Sequence, residues 1–181
     1  MKYLILSDIH GGLVALEQVL ETTKDWDYDR ILILGDVLNH GPRNPLPEGY
    51  NPPKVSEQLN SLKSRIIAIK GNCDSEVDGM LLQFPIVSQV NIIPFKKRNI
   101  IMTHGHEWTP EKISSMSSED IYVSGHTHIP VAKKTTAGYL FNPGSISLPK
   151  ENHPPTFGMI DKKALTVYTL DGESYMTVEL D

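Results

Sequence analysis

The sequence predicts an α/β fold in which two mixed β-sheets pack face to face with helices on the outside. Three observations predict it. The first half alternates short apolar runs with amphipathic stretches, the second half is a succession of short β-rich segments, and metal-capable side chains recur just after the runs.

Tyr3 to Leu6 is a fully apolar run and reads as a buried strand. Leu13, Val14, Leu16, Val19 and Leu20 then recur at helical spacing, which gives strand, turn and helix in succession. Arg30 to Leu34 is a second buried-type strand. The stretch from Asn39 to Pro53 holds His40, Gly41, Pro42, Arg43, Pro45, Pro47, Gly49 and Pro52-Pro53, so it forms neither a regular helix nor a central strand. A loop of this length serves either a function or a plain surface insertion. Val55, Leu59 and Leu62 mark a second amphipathic helix that opens on the proline pair. Ile66 to Ile69 is a third strand, and this alternation favours parallel pairing through right-handed crossovers.

Beyond Val87 the pattern changes. Asn91 to Phe95, Asn99 to Thr103, Ile121 to Ser124 and Tyr139 to Phe141 are short β-rich segments, with one further helix expected near Pro110 to Met116. Thr156 to Asp161, Leu165 to Leu170 and Tyr175 to Leu180 finish as strands, separated by the turn signals Asp161-Lys162-Lys163 and Asp171-Gly172. No internal repeat or low-complexity tract interrupts the chain.

At 181 residues, 39% hydrophobic and 22% charged, the composition excludes disorder and fibrous repeats, and a single domain over residues 1–181 is expected. No apolar run approaches the roughly 20 residues of a membrane-spanning helix, and the N-terminus reaches Asp8 too soon for a signal peptide. Cys73 has no second cysteine to pair with, so a disulfide framework is excluded and cytoplasmic residence is the expectation. The net charge of −5 argues against broad binding to nucleic-acid backbones, while leaving room for a small anionic substrate held by metal ions.

The chemistry-bearing residues follow the apparent strands, where open α/β sheets place their ligand crevices. Asp8 and His10 follow the first, Gly35-Asp36 the second, and Gly71-Asn72-Cys73-Asp74 the third. His104-Gly105-His106 and Gly125-His126-Thr127-His128 follow two of the later ones. Singly, each has a plain explanation: Asp8 could cap the first helix and Asp36 could open a turn. Five such events at successive strand ends point instead to a metal site.

The order Asp8-x-His10, Gly35-Asp36, Gly71-Asn72-x-Asp74, His104-Gly105-His106 and Gly125-His126-x-His128 resembles the calcineurin-like metallophosphoesterase superfamily. More narrowly, the run Gly35 to Asn44, the run Gly71 to Asp78 and Asn142-Pro143-Gly144-Ser145 look like the YfcE-type bacterial phosphodiesterases. The resemblance covers essentially the whole chain. It implies a metallophosphoesterase-type αββα sandwich and a phosphoric ester hydrolase with two divalent ions, Mn²⁺ first, with Zn²⁺, Fe²⁺, Co²⁺ or Ni²⁺ also suited to imidazole and carboxylate ligands. By the same resemblance one ion takes Asp8, His10 and His128, the other takes Asn72, His104 and His126, and Asp36 bridges them. Asp36, Asn72 and His104 are the residues expected to act in catalysis.

The implied reaction is in-line attack on phosphorus by a metal-bridging hydroxide, between ions about 3.5–4 Å apart. Two divalent ions bring four positive charges and Asp8 and Asp36 return two; a hydroxide and a diester monoanion cancel the remainder, whereas a monoester dianion overshoots. This leans towards a small-molecule phosphodiester. The same core serves phosphomonoesterases, nucleotide pyrophosphatases and nucleases, and a reading of another class is a silent metal-binding scaffold resembling the retromer subunit. A homo-oligomer is compatible with the resemblance.

Around the ligands, Cys73 stands where many members resembling this pattern carry His, either as a small inert residue or beside the ligands. Asp74 adds negative charge nearby. His106 lines the site or donates to a backbone carbonyl, and His40 and Arg43 sit on the loop after Asp36, where Arg either clamps a phosphate or stays solvated. His153 reads as a loop residue, and Asn142-Pro143-Gly144-Ser145 as a turn that supports the site.

Overall fold

The computed structural model describes residues 1–113 and 116–181. β1 (Tyr3–Leu6), α1 (Leu13–Thr22), β2 (Arg30–Ile33), α2 (Pro52–Ser61), β3 (Ile66–Ala68) and α3 (Glu76–Leu81) form the first half. β4 (Val90–Phe95), β5 (Arg98–Thr103), β6 (Ile121–Val123), β7 (Val131–Thr135), β8 (Gly138–Asn142), β9 (Thr156–Ile160), β10 (Ala164–Thr169) and β11 (Ser174–Glu179) follow. One sheet has the order β11-β10-β9-β1-β2-β3 and the other β4-β5-β6-β8-β7. The first three strands pair in parallel, as their alternation with helices predicts. β9 returns antiparallel beside β1, and β5, β6 and β8 run parallel in the second sheet, so both sheets are mixed.

Period-2 alternation explains why uniformly apolar strands sit where they do. In β1, Leu4 and Leu6 pack against Leu16 and Val19 of α1 and Val55 and Leu59 of α2. Tyr3 and Ile5 point the other way, into a second core with Ile100, Met102, Val123 and Phe141 of the facing sheet. β2 repeats the pattern, with Ile31 and Ile33 towards the helices and Leu32 towards the facing sheet.

The structure departs from the sequence expectation at three elements. The helix expected near Pro110 to Met116 is a 3₁₀ turn over Pro110–Lys112, held by Lys112 N–H to Thr109 O (3.0 Å); residues 114 and 115 lie outside the described residues. This segment covers the outer face of the five-stranded sheet, where the Thr103 and Tyr122 hydroxyls both donate to Trp108 O. These bonds pin the chain at Trp108 to β5 and β6 just before the turn, so tertiary contacts set the path of this segment. α3 carries a signal that periodicity overlooks: Ser75 N–H donates to Asp78 Oδ2 (2.6 Å), one half of a capping box. β7 is an edge strand whose exposed Lys133 and Lys134 break the apolar pattern, as edges that resist further pairing do. No helix among the described residues is long and apolar enough to cross a membrane.

Leu32 is fully buried between the sheets. Leu32→Ala is expected to lower unfolding stability by about 2–5 kcal/mol with an unchanged denaturant slope. Urea titration followed by circular dichroism measures it, and a loss below about 1 kcal/mol would mean that the inter-sheet core collapses around the cavity rather than holding its packing.

Candidate metal centre

The C-terminal ends of β1, β2 and β3 in one sheet, and of β5 and β6 in the other, open on the same side. There the structure brings Asp8, His10, Asp36, His104 and His128 together. Asp8, His10 and His128 offer ligand atoms within 4.8 Å of one another, and so do Asp8, Asp36 and His104, and His10, Asp36 and Cys73. Individual separations are short: His128 Nε2 to Asp8 Oδ1 is 3.2 Å, His104 Nε2 to Asp36 Oδ2 is 3.4 Å, and His10 Nε2 to Asp36 Oδ2 is 3.7 Å. Asn72 Oδ1 lies 3.0 Å from His104 Nε2. The His126 ring stands 5.1 Å from that of His104, and its backbone N–H donates to Asp8 Oδ2 (3.0 Å).

The outer hydrogen bonds fix what these groups can offer. His10 Nδ1 contacts Asn39 O (2.7 Å), His104 Nδ1 contacts Leu34 O (2.6 Å) and His128 Nδ1 contacts Leu148 O (2.5 Å). A carbonyl oxygen only accepts, so Nδ1 carries the proton in each ring and Nε2 presents a lone pair inward. Acceptors then face acceptors: His10 Nε2 is 3.3 Å from His128 Nε2, and His104 Nε2 faces Asn72 Oδ1. Asp8 Oδ2 is occupied by Ser7 Oγ–H (2.6 Å) and His126 N–H, whereas Asp8 Oδ1 is buried with no hydrogen-bond partner. A pocket of unpaired acceptors without donors fits a cation.

Charge shifts agree with that reading. Burial alone would raise the Asp8 carboxyl, but the neighbouring His10, His128 and His104 rings hold it below the usual carboxylate range. Asp36 is likewise lowered, with burial opposed by His104 and the Cys73 N–H. Burial opposes a charge on His104, yet Asp36 and Asp8 raise its pKa to about 9. His106 and His126 move down, through burial and the neighbouring His104 charge. Two buried carboxylates thus make the centre attractive to any cation, either a metal ion among the Nε2 lone pairs or, in its place, a second proton on His104 Nε2.

Backbone strain accompanies this convergence. Asp8 (φ 51°), His10 (φ 47°), Asp36 (φ 53°), His126 (φ 66°) and His128 (φ 62°) all occupy the left-handed region. Such residues cost about 1–3 kcal/mol each and persist where the surroundings over-determine them. Here Asp8 N–H donates to Gly35 O and His10 N–H to Asp36 O, extending the β1–β2 pairing through the strained turn. Gly71 and Gly125 serve space rather than φ. A Cβ on Gly71 would lie 2.2 Å from Asp36 Oδ1, and one on Gly125 would lie 1.9 Å from Ser7 Oγ.

The supporting residues separate by role. Asp74 is buried and accepts from the N–H groups of Asp36 (2.8 Å), Val37 (2.8 Å) and Gly71 (2.7 Å), tying the ends of β2 and β3 together. Burial pushes its carboxyl up to about 6 against those donors. Ser145 Oγ donates to Asp8 O (2.7 Å) and Asn142 Nδ2 to Gly125 O (2.9 Å), so the Asn142-to-Ser145 turn supports the site as its sequence suggests. His106 lies edge-on to His104 and tilted against His126, with Nδ1 buried and without a hydrogen-bond partner among the described residues. His40 turns its ring edge-on to Tyr50 instead of contributing to the cleft. His153 pairs with the Tyr175 hydroxyl at the surface (2.8 Å), away from the site.

A cleft of about 750 Å³ opens over the centre, and Cys73 and Arg43 line it. Burial and the Asp36 charge push the Cys73 thiol up to about 12, so it stays protonated. Lys150, Asn39 and Thr127 also line the cleft and escape sequence reasoning. Asn39 and Thr127 adjoin motif residues and could have been found by proximity, whereas Lys150 arrives from a remote loop with no local signal.

A calcineurin-like phosphoesterase superfamily domain matches residues 1–164. Phosphodiesterase YfcE of Escherichia coli is 48% identical over 174 residues, spanning 96% of this chain and 95% of that protein. A solved structure of the Escherichia coli phosphoesterase YfcE aligns over 100% of both chains with a TM-score of 0.96 and 47% identity. Vps29 of Entamoeba histolytica, solved with Zn²⁺, aligns over 100% of both chains with a TM-score of 0.64 and 22% identity, a likeness in fold alone. The strand-end acceptors, the two mixed sheets that carry them and a domain match over most of the length agree: this chain belongs to the calcineurin-like phosphoesterase superfamily.

Proposed function

We propose that this chain is a two-metal phosphodiesterase, a reading carried by the convergence of unpaired acceptors around Asp36 Oδ2. His104 Nε2 at 3.4 Å and His10 Nε2 at 3.7 Å flank that oxygen. On this reading Asp8, His10 and His128 hold one divalent ion, Asn72, His104 and His126 hold the other, and Asp36 serves both. Four imidazoles with two carboxylates suit Mn²⁺, Fe²⁺, Co²⁺, Ni²⁺ or Zn²⁺, where an all-oxygen set would favour Mg²⁺ or Ca²⁺. Mn²⁺ is the ion the family resemblance implies, and we adopt it. When bound, such a pair supplies a water acidified towards a pKa of about 7 and positive charge for the oxygens of an in-line displacement.

The chain's own residues set the geometry. Cys73 N–H holds Asp36 Oδ1 (2.8 Å), which fixes Oδ2 between the two clusters. Three backbone carbonyls keep Nδ1 protonated in His10, His104 and His128, so their Nε2 lone pairs stay available. Cys73 faces the cleft as a half-buried thiol, and a thiol is a poorer general acid for a departing oxygen than an imidazolium. The likeness to Vps29 bears on the fold alone, while the full set of acceptors at one site favours an enzyme over a scaffold.

Asp36→Asn removes the shared charge. Turnover of an aryl diester is expected to fall by at least about 100-fold, with metal content reduced and the circular dichroism spectrum preserved. Elemental analysis and kinetics read together decide it: two bound ions with ordinary turnover would remove Asp36 from its bridging role.

Exhaustive chelation is expected to abolish turnover, and Mn²⁺ to restore more of it than Mg²⁺. Activity that survives chelation would sink the two-metal mechanism, and stronger rescue by Mg²⁺ would sink the imidazole-rich ligand set.

Without an acid at Cys73, the rate should track how readily the leaving group departs unprotonated. A series of aryl diesters graded by leaving-group pKa, with one alkyl diester beside it under the same Mn²⁺ loading, is expected to slope steeply. Cys73→His should raise alkyl diester cleavage selectively, by about 10²-fold where the imidazole reaches the departing oxygen. A flat series with chemistry rate-limiting would mean that another group already supplies the proton.

A further inference from the structure

We propose that the cleft selects phosphodiesters whose retained arm bears a second anionic group, gripped by Arg43 and Lys150. The inference rests on the phosphodiesterase reading and adds the substrate class to it. The cleft, about 750 Å³, is of a size that takes a small molecule. Asp36, Cys73, His126 and His128 contribute to its lining on the side of the metal centre. Arg43 enters from the loop between β2 and α2, and Lys150 from the loop between β8 and β9.

Both cations lack an internal counter-charge. Among the described residues neither Arg43 nor Lys150 has an ion-pair or side-chain hydrogen-bond partner; other exposed cations share that, but these two line the cleft and are free to reach a group bound there. Asp36 is the only carboxylate lining the cleft among the described residues, and the metal centre already engages it. With two divalent ions in place, Arg43 and Lys150 add two further positive charges beside the centre, in a chain whose net charge is −5. A hydroxide and a diester monoanion neutralise the surplus of the two ions with Asp8 and Asp36, so nothing in a simple diester answers Arg43 and Lys150. A carboxylate or phosphate on the retained arm does: the planar guanidinium grips it bidentately and the ammonium adds a point charge.

The lining also speaks against a nucleotide. No Phe, Tyr or Trp lines the cleft among the described residues, so a base would have only the Arg43 guanidinium, which the second anionic group would claim, and the metal-side rings of His126 and His128 to stack on. The substrate class that fits is a small diester of a carboxylated or phosphorylated alcohol.

Four 4-nitrophenyl diesters with one leaving group and different retained arms test this: methyl, 2-carboxyethyl, choline and thymidine. With Mn²⁺-loaded enzyme, kcat/KM for the carboxyethyl diester is expected to exceed that for the methyl diester by about tenfold. The choline diester should fall below methyl, and the thymidine diester should gain nothing over methyl. Raising the salt to about 0.5 M should shrink the carboxyethyl-to-methyl ratio. Arg43→Gln with Lys150→Gln should bring that ratio close to one, and each single variant should lower it part of the way. Equal rates for the methyl and carboxyethyl diesters, a ratio that the double variant leaves intact, or a preference for thymidine would overturn the proposal. No turnover of any of the four would instead overturn the phosphodiesterase reading beneath it.

Discussion

The mutual repulsion of acceptors gathered at one point is the constraint on which the rest of the structure depends. Ligand atoms of Asp8 and Asp36 lie within 4.8 Å of each other, and at that separation two carboxylates repel by about 3 kcal/mol at an effective dielectric of about 20. Imidazole lone pairs facing each other at 3.3 Å add to it. A chain left to itself would rotate these groups apart or expose them to water. They stay together because each is held from behind: Asp8 by Ser7 and the His126 N–H, Asp36 by the Cys73 N–H, and the three histidines by backbone carbonyls.

That restraint reaches into the backbone. Five of the converging residues adopt left-handed φ without being glycine, and the conformation survives because β1 and β2 continue to pair through it. Asp74 adds the third strand to the same framework by accepting from two strand ends at once. The glycines beside the site act mainly by lacking a side chain, since a Cβ at Gly71 or Gly125 would collide with Asp36 or Ser7. Stability is thus spent on holding charges in place, as is common at functional sites.

The two sheets divide the work. The six-stranded sheet, backed by α1 and α2, supplies Asp8, His10, Asp36 and Asn72, while the five-stranded sheet supplies His104, His126 and His128. The core between them sets the spacing of the halves, with Leu34 taking part twice: its side chain packs in that core and its carbonyl orients His104. Packing and site geometry therefore share residues, and a change in the inter-sheet core reaches the centre through Leu34 without touching a ligand.

Much of this was legible in the chain. Apolar runs gave β1, β2 and β3, because strands buried on both faces admit few polar residues, and helical spacing gave α1 and α2. Position after successive strands pointed to metal-capable residues at one edge of a parallel arrangement, and the family resemblance proposed which seven of them act as ligands. α3, β7 and the 3₁₀ turn at Pro110–Lys112 were not, since each is too short, or too polar at an exposed edge, for an apolar period to show. Nor could the sequence tell that Nδ1 of His10, His104 and His128 meets carbonyls at Asn39, Leu34 and Leu148, or that Lys150 joins Arg43 over the cleft. By itself the sequence determined the order of the apolar strands and which metal-capable side chains follow each of them. Only the tertiary structure decided how they face one another, because tautomer, strain and charge balance arise from contacts between segments far apart in the chain.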